Sequence, residues 1–148
     1  MVHVRRSFTV PRPLPAVNAY LADFANAVDW DPGTRECDRT NGTGTPAEGA
    51  TWHNVSEFRG RSTELEYRLD HRSDDRLTFT GTNKTATSTD DITLRPTPDG
   101  TEITYDATIR FHGLARLADP FLRGEFERLG DEITHTMPKA IESAVPPS

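Results

Sequence analysis

Asp90 is the side chain of this sequence best suited to moving protons. It shares strand parity with Ile92 and Leu94, so an alternating strand turns its carboxyl toward the apolar side. A carboxyl withdrawn from water keeps its proton to higher pH, which suits it to general acid and base work. An aspartate near a strand start also caps turns or pairs with an arginine, and Arg35 and Arg110 are available for that. Tyr67, Tyr105 and Asn54 can share proton handling with Asp90, so Asp90, Tyr67 and Tyr105 form the candidate catalytic set.

Other familiar chemistries lack their residues. No Gly-x-Ser-x-Gly elbow occurs, and Gly42-Thr43-Gly44 has neither the spacing nor the following helix of a phosphate or dinucleotide loop. The histidines, His3, His53, His71, His112 and His135, show no paired metal-ligand spacing, and His53 and His112 fall on outward parities. His135 lies beside an apolar helical stripe, from where it either tips into an interior or stays at the rim. Cys37 is the only cysteine, which excludes an internal disulfide and a multi-cysteine zinc site. Neither a metal nor a cofactor is expected.

These side chains must be held by a sheet. Val2, Val4, Phe8 and Val10 alternate as a strand ended by Pro11, with Arg6 interrupting the apolar parity. Leu14, Val17, Tyr20, Leu21 and Phe24 then recur at three and four residues, and Ala25 to Val28 continue apolar after Asp23, which predicts two short helices with a break. Asp31-Pro32-Gly33 reads as a turn. Six more strands are expected, over Thr34 to Thr43, Ala50 to Phe58, Thr63 to Arg72, Arg76 to Asn83, Thr85 to Arg95 and Thr101 to His112. Links at Arg59-Gly60, Ser73-Asp74-Asp75 and Thr97-Pro98-Asp99-Gly100 are too short for crossover helices, so neighbours run antiparallel.

After Gly113 the period becomes helical, with Leu114 and Leu117 in a leading turn and Leu122, Phe126, Leu129, Ile133, Met137 and Ile141 as a stripe. Asp119-Pro120 reads as a capping carboxylate before a proline at the first helical position. Pro138 cannot donate to the carbonyl of Thr134, which predicts a kink or an early end. Gly124 and Gly130 each cost about 1 kcal/mol within a helix and point to close backbone packing or to space for a guest. A sheet dry on one face must be covered by this helix, which gives one α+β domain over residues 1–148: a seven-stranded curved antiparallel sheet around a long C-terminal helix.

Parity on the third strand turns Trp52, Asn54, Ser56 and Phe58 one way, and the Trp52 face is taken as inward. With Trp30, Tyr67, Phe79, Tyr105, Phe111 and Phe126 it forms an aromatic wall with hydroxyls and an amide interspersed, either as plain core or as the lining of a pocket. The ligand-contacting set is therefore Trp30, Trp52, Asn54, Ser56, Phe58, Tyr67, Phe79, Asp90, Tyr105, Phe111 and Phe126.

Composition narrows the partners. Hydrophobic residues make up 34% of the 148-residue chain and charged ones 27%, enough for one core with polar outer faces. A net charge of -6 with scattered basic residues gives no surface for nucleic acid. No stretch approaches the length of a membrane span, and the charged start MVHVRRSFTV is unlike a secretory signal, so a cytoplasmic location is expected.

The chain resembles the START-like or SRPBCC superfamily, in particular its polyketide cyclase/dehydrase branch. The resemblance is carried by the order and spacing of Phe8-Thr9-Val10 before Pro11, Val17 and Tyr20-Leu21 leading to Trp30-Asp31-Pro32-Gly33, Gly49-Ala50-Thr51-Trp52, Asp90-Asp91-Ile92-Thr93-Leu94, and Gly100-Thr101-Glu102-Ile103-Thr104-Tyr105. It implies the helix-grip fold and a deep cavity between sheet and C-terminal helix, which relatives use for lipids, hormones, polyketides or other apolar ring systems. The expected function is binding of a small hydrophobic molecule there. The alternative is a polyketide cyclase/dehydratase of aromatase type, catalysing aldol closure and dehydration, with Asp90, Tyr67, Tyr105 and Asn54 as its polar actors. Aromatase cyclases typically carry an inward arginine in mid-pocket, whereas the arginines here mostly alternate onto the wet face. A third branch of the fold activates chaperones through its outer surface. Fold alone does not choose among carrier, sensor and enzyme.

Overall fold

The computed structural model describes residues 1–147. Strand β1 (Val2–Val10) is followed by helix α1 (Leu14–Ala22), a 3-10 turn (Phe24–Asn26) and a one-turn helix α2 (Ala27–Trp30). Strands β2 (Thr34–Arg39), β3 (Thr51–Phe58), β4 (Arg61–Ser73), β5 (Arg76–Thr82), β6 (Ala86–Thr97) and β7 (Gly100–Phe111) come next, then a 3-10 segment (Gly113–Ala118) and helix α3 (Asp119–Ala144). All seven strands form one antiparallel sheet in the order β1-β7-β6-β5-β4-β3-β2. The meander from β3 to β7 uses short turns, a longer loop over 40–50 joins β2 to β3, and β1 closes beside β7. Arg59 and Gly60, at φ 53° and 78°, make the tight β3–β4 turn, in which both central residues take positive φ.

The second strand is shorter than the alternation predicts, because Gly42, Gly44 and Gly49 turn the chain at positive φ before β3. Asp23 makes the break between the short helices: it accepts from the amide of Ala25 at 3.1 Å and from Trp52 Nε1 at 3.1 Å. Helix α3 starts at Asp119 with Ala118 as its cap, one residue ahead of the expected start, while the Asp119 side chain lies outside the described residues. Of the two outcomes expected at Pro138, a kink or an early end, the early end does not occur. The helix runs on to Ala144, and Met137 and Ile141 on either side of the proline are fully buried, so packing outweighs one lost hydrogen bond.

Two arginines fasten α3 across the sheet. Arg6, the residue that interrupts the apolar parity of β1, donates to Asp131 Oδ1 at 2.9 Å and Glu127 Oε2 at 2.7 Å. Arg12 donates to the carbonyls of Val145 at 2.6 Å and Glu142 at 3.1 Å, supplying partners to the end of the helix. Within the Arg6 clamp Gly130 crosses β1 so closely that an added Cβ would overlap Val4 Cγ1. Close packing therefore explains Gly130, whereas Gly124 faces open space.

Sheet and helix meet fully over only half their length. Leu69, Leu77, Ile92, Ile103, Met137 and Ile141 are fully buried at the end toward α1. Phe24 enters from the 3-10 turn, stacks on Tyr67 with centroids 4.3 Å apart, and touches Trp30, Trp52 and Phe79 at 5.9, 6.2 and 4.7 Å. That aromatic plug ends the packed half.

Candidate functional site

Beyond the plug the inward positions become small. Along β6 they run Leu94, Ile92, Asp90, Ser88, Ala86, and β7 turns Ala107 inward between Tyr105 and Ile109. Gly81 on β5 has no side chain because the Tyr67 ring lies over it; a Cβ there would sit 2.6 Å from the ring. The space left open is a cavity of about 220 Å³ between the sheet and α3. Leu122, Phe126, Leu129 and Ile133 of α3 wall it on one side, and Val2, Val4, Leu65, Ala107 and Ile109 on the other. At one end Phe126 stacks flat on Phe58, centroids 4.8 Å apart and planes 7° from parallel, with Phe111 at 6.4 Å.

Asp90, Ser88, Tyr67 and Tyr105 bring their polar groups together on the floor beside the plug, and Glu57, Thr63, Asn83 and Thr85 also line the cavity. Asp90 is 4% exposed, and the Tyr105 hydroxyl donates to its Oδ2 at 3.0 Å. Burial pushes the Asp90 carboxyl up to about 7, the charge of Asp31 adds to the rise, and the hydroxyls of Tyr105 and Ser88 oppose it. The phenols of Tyr67 and Tyr105 are held well above their ordinary value, first by burial and then by the charge of Asp90, so both are neutral donors at physiological pH. Asp31, half-buried, accepts from the Gly33 amide at 3.0 Å and the Thr34 hydroxyl at 2.9 Å; burial raises its carboxyl against these bonds.

The expected site residues divide in two. Ser56, Phe58, Tyr67, Asp90, Tyr105, Phe111 and Phe126 line the cavity together. Trp30, Trp52 and Phe79 do not: they pack around Phe24 in the solid half, with no exposure. Asn54, 1% exposed, sits behind Ser56, with the Thr34 hydroxyl 3.3 Å from its amide nitrogen and the Ser56 hydroxyl 2.6 Å from its oxygen. Its partners are protein groups, so the amide needs no cavity to be satisfied. Asp90 has a phenol rather than an arginine as its partner, since Arg35 pairs with Glu57 at 3.6 Å. His135 is exposed on α3, off the cavity wall.

Sequence reasoning missed Asp31 and Ser88. Ser88 shares the parity of Asp90 and was within reach of the same argument. Asp31 was read only as a turn residue, because strand parity says nothing about side chains in a turn. Among the described residues no group of three His, Cys, Asp or Glu side chains is placed to hold a metal ion. No helix among them is long and apolar enough to cross a membrane.

A curved antiparallel sheet wrapped on one long helix, hollow between the two, defines the helix-grip fold. The family model described as polyketide cyclase / dehydrase and lipid transport matches residues 1–142, and the chain belongs to that family. Among solved structures, TTHA0849 from Thermus thermophilus superposes with a TM-score of 0.79 at 12% identity, covering 96% of this chain and 98% of that one. The Zhui aromatase/cyclase from Streptomyces sp. R1128 gives 0.73 at 13% identity, covering 96% and 92%. A START superfamily protein from Mycobacterium smegmatis gives 0.70 at 16%, covering 97% and 96%. Likeness at these identities concerns the fold alone. No match is found among curated protein sequences.

Proposed function

We propose that the chain binds one small hydrophobic molecule, polyketide-, lipid- or aromatic-like, in the cavity between sheet and α3. The observation that carries this reading is the hollow itself. About 220 Å³ of apolar-walled space has room for roughly a dozen or more water-sized groups, which suits one or two fused rings. Apolar walls with a few convergent polar groups are what small-molecule sites generally present. Native mass spectrometry of freshly purified protein, followed by denaturing extraction, tests it. A retained guest is expected. Protein of bare chain mass that also fails to bind any apolar fluorophore overturns the reading.

A second reading is favoured by one observation, the hydrogen bond from Tyr105 to a buried Asp90 whose carboxyl is held at about 7. A group that gives and takes a proton near neutral pH, beside neutral phenols, is suited to enolisation, aldol closure and dehydration of a folded poly-β-ketone. The Zhui protein is an aromatase/cyclase of the same fold, which makes that substrate class the one to try. Turnover of a reactive poly-β-ketone is expected to fall at least about a hundredfold in Asp90→Asn. Unchanged turnover removes Asp90 from the chemistry.

A further inference from the structure

The charges around the cavity have one sign. Asp31, Glu57 and Asp90 line it, and among the described residues no lysine, arginine or histidine does. The Arg6 guanidinium would lie 3.6 Å from a Cβ on Gly130 but is already bonded to Glu127 and Asp131, and Arg35 is paired with the exposed Glu57 at 3.6 Å. Helix α3 offers Leu122, Phe126, Leu129, Gly130 and Ile133, none of them charged. Tyr67 and Tyr105 face Asp90 as neutral phenols.

An anionic guest would thus meet the buried Asp90 carboxylate with no cation on the cavity wall to offset it, a cost that a low-dielectric site magnifies. A cationic guest meets the opposite situation. It gains a buried carboxylate partner for its N–H groups while its rings cover the apolar walls. Asp90 has one oxygen bonded by Tyr105 and stands 4% exposed on the cavity floor, where an ammonium could reach it.

We infer that the ligand of this cavity is a compact aromatic or alicyclic molecule bearing a basic nitrogen, held with its rings against α3 and its protonated amine on Asp90. This deepens, and rests on, the reading of the cavity as a hydrophobic ligand site. It sets the chain apart from a fatty-acid carrier, whose carboxylate needs a cation that the cavity lacks.

Three probes of nearly one shape test it on the full chain at pH 8: 2-naphthylmethylamine, 2-naphthalenemethanol and 2-naphthoate, titrated by calorimetry. The amine is expected to bind about tenfold or more tighter than the alcohol, and the naphthoate about tenfold or more weaker. In Asp90→Asn, checked for folding by thermal unfolding, the advantage of the amine over the alcohol should fall to less than about threefold. The wild-type protein provides a test without mutation. At pH 7, titrations in two buffers of different ionisation enthalpy should show proton release with the amine, from Asp90 as it becomes fully ionised, and none with the alcohol. Equal affinities, or tighter binding of naphthoate, overturn the amine inference and leave hydrophobic binding standing. Failure of all three probes to bind overturns both.

Discussion

Replacing Asp90 with asparagine should stabilise this protein in alkali and leave it nearly unchanged in acid. An ordinary aspartate ionises near 4, whereas Asp90 in the folded chain ionises at about 7. Below pH 4 both folded and unfolded chains hold the proton, and the carboxyl costs nothing. Between about 4 and 7 the unfolded chain has released it and the folded chain has not, so stability falls with rising pH by about 1.4 kcal/mol per unit. Above 7 the loss is complete, at about 4 kcal/mol. Asparagine has nearly the same shape, accepts the Tyr105 hydroxyl bond, and cannot ionise. Its advantage over aspartate should therefore be about 1.5 kcal/mol at pH 5 and about 4 kcal/mol at pH 8. Urea denaturation followed by tryptophan fluorescence is the assay, since Trp30 lies 5.8 Å from the Tyr105 ring and reports on the site directly. Because a chain of this size gains about 2–4 °C per kcal/mol, the thermal midpoint at pH 8 should rise by roughly 10 °C. A stability difference that is the same at both pH values would refute the reasoning, and so would an asparagine variant that is the weaker protein at pH 8.

Further substitutions probe how the cavity is built. Gly124→Ala should add about 0.5–1 kcal/mol in urea denaturation, since nothing stands within 4 Å of the new Cβ and helix propensity improves. Gly130→Ala makes the same propensity gain but drives a methyl into Val4, so a net loss of about 1–2 kcal/mol is expected, recovered in part when Val4→Ala is added. Gly81→Ala must displace the Tyr67 ring from 2.6 Å and should cost about 1–3 kcal/mol, with a shift in tyrosine absorbance that a remote alanine does not produce. Ala107→Leu points new methyl groups into the hollow and should abolish uptake of an apolar fluorophore while the thermal midpoint stays or rises.

Much of this architecture was legible because each long strand carries its alternation openly. Leu65, Tyr67 and Leu69 on β4, and Ile103, Tyr105 and Ile109 on β7, fix which face is dry, and one helical stripe from Leu122 to Ile141 can cover only that face. The location of the hollow was legible in principle too. On β6 the inward series shrinks from Leu94 to Ala86, and Ala107 interrupts the large residues of β7. Which aromatics would line it was not legible, because parity turns Trp52 and Phe58 to the same side. What separates them is Phe24, a residue of the break between two short helices, whose insertion depends on tertiary packing that no periodicity records.

Why the hollow persists is an energetic question. At roughly 24 cal/mol per Å³, a void of about 220 Å³ kept wholly dry would cost at most on the order of 5 kcal/mol, and water on the polar groups of its floor lowers that figure. Collapse would remove that cost if α3 could slide toward the sheet. Arg6 ties the helix at Glu127 and Asp131, Arg12 ties it at Glu142 and Val145, and Gly130 is already in contact with β1. The helix is thus held at its middle, at its C-terminal end and at its point of nearest approach, and the residues that could fill the gap, Ala86, Ser88 and Ala107, are all small. Larger side chains at these positions would make a more stable protein by the same rule that governs every other core, so their smallness argues that the space itself is what the chain maintains.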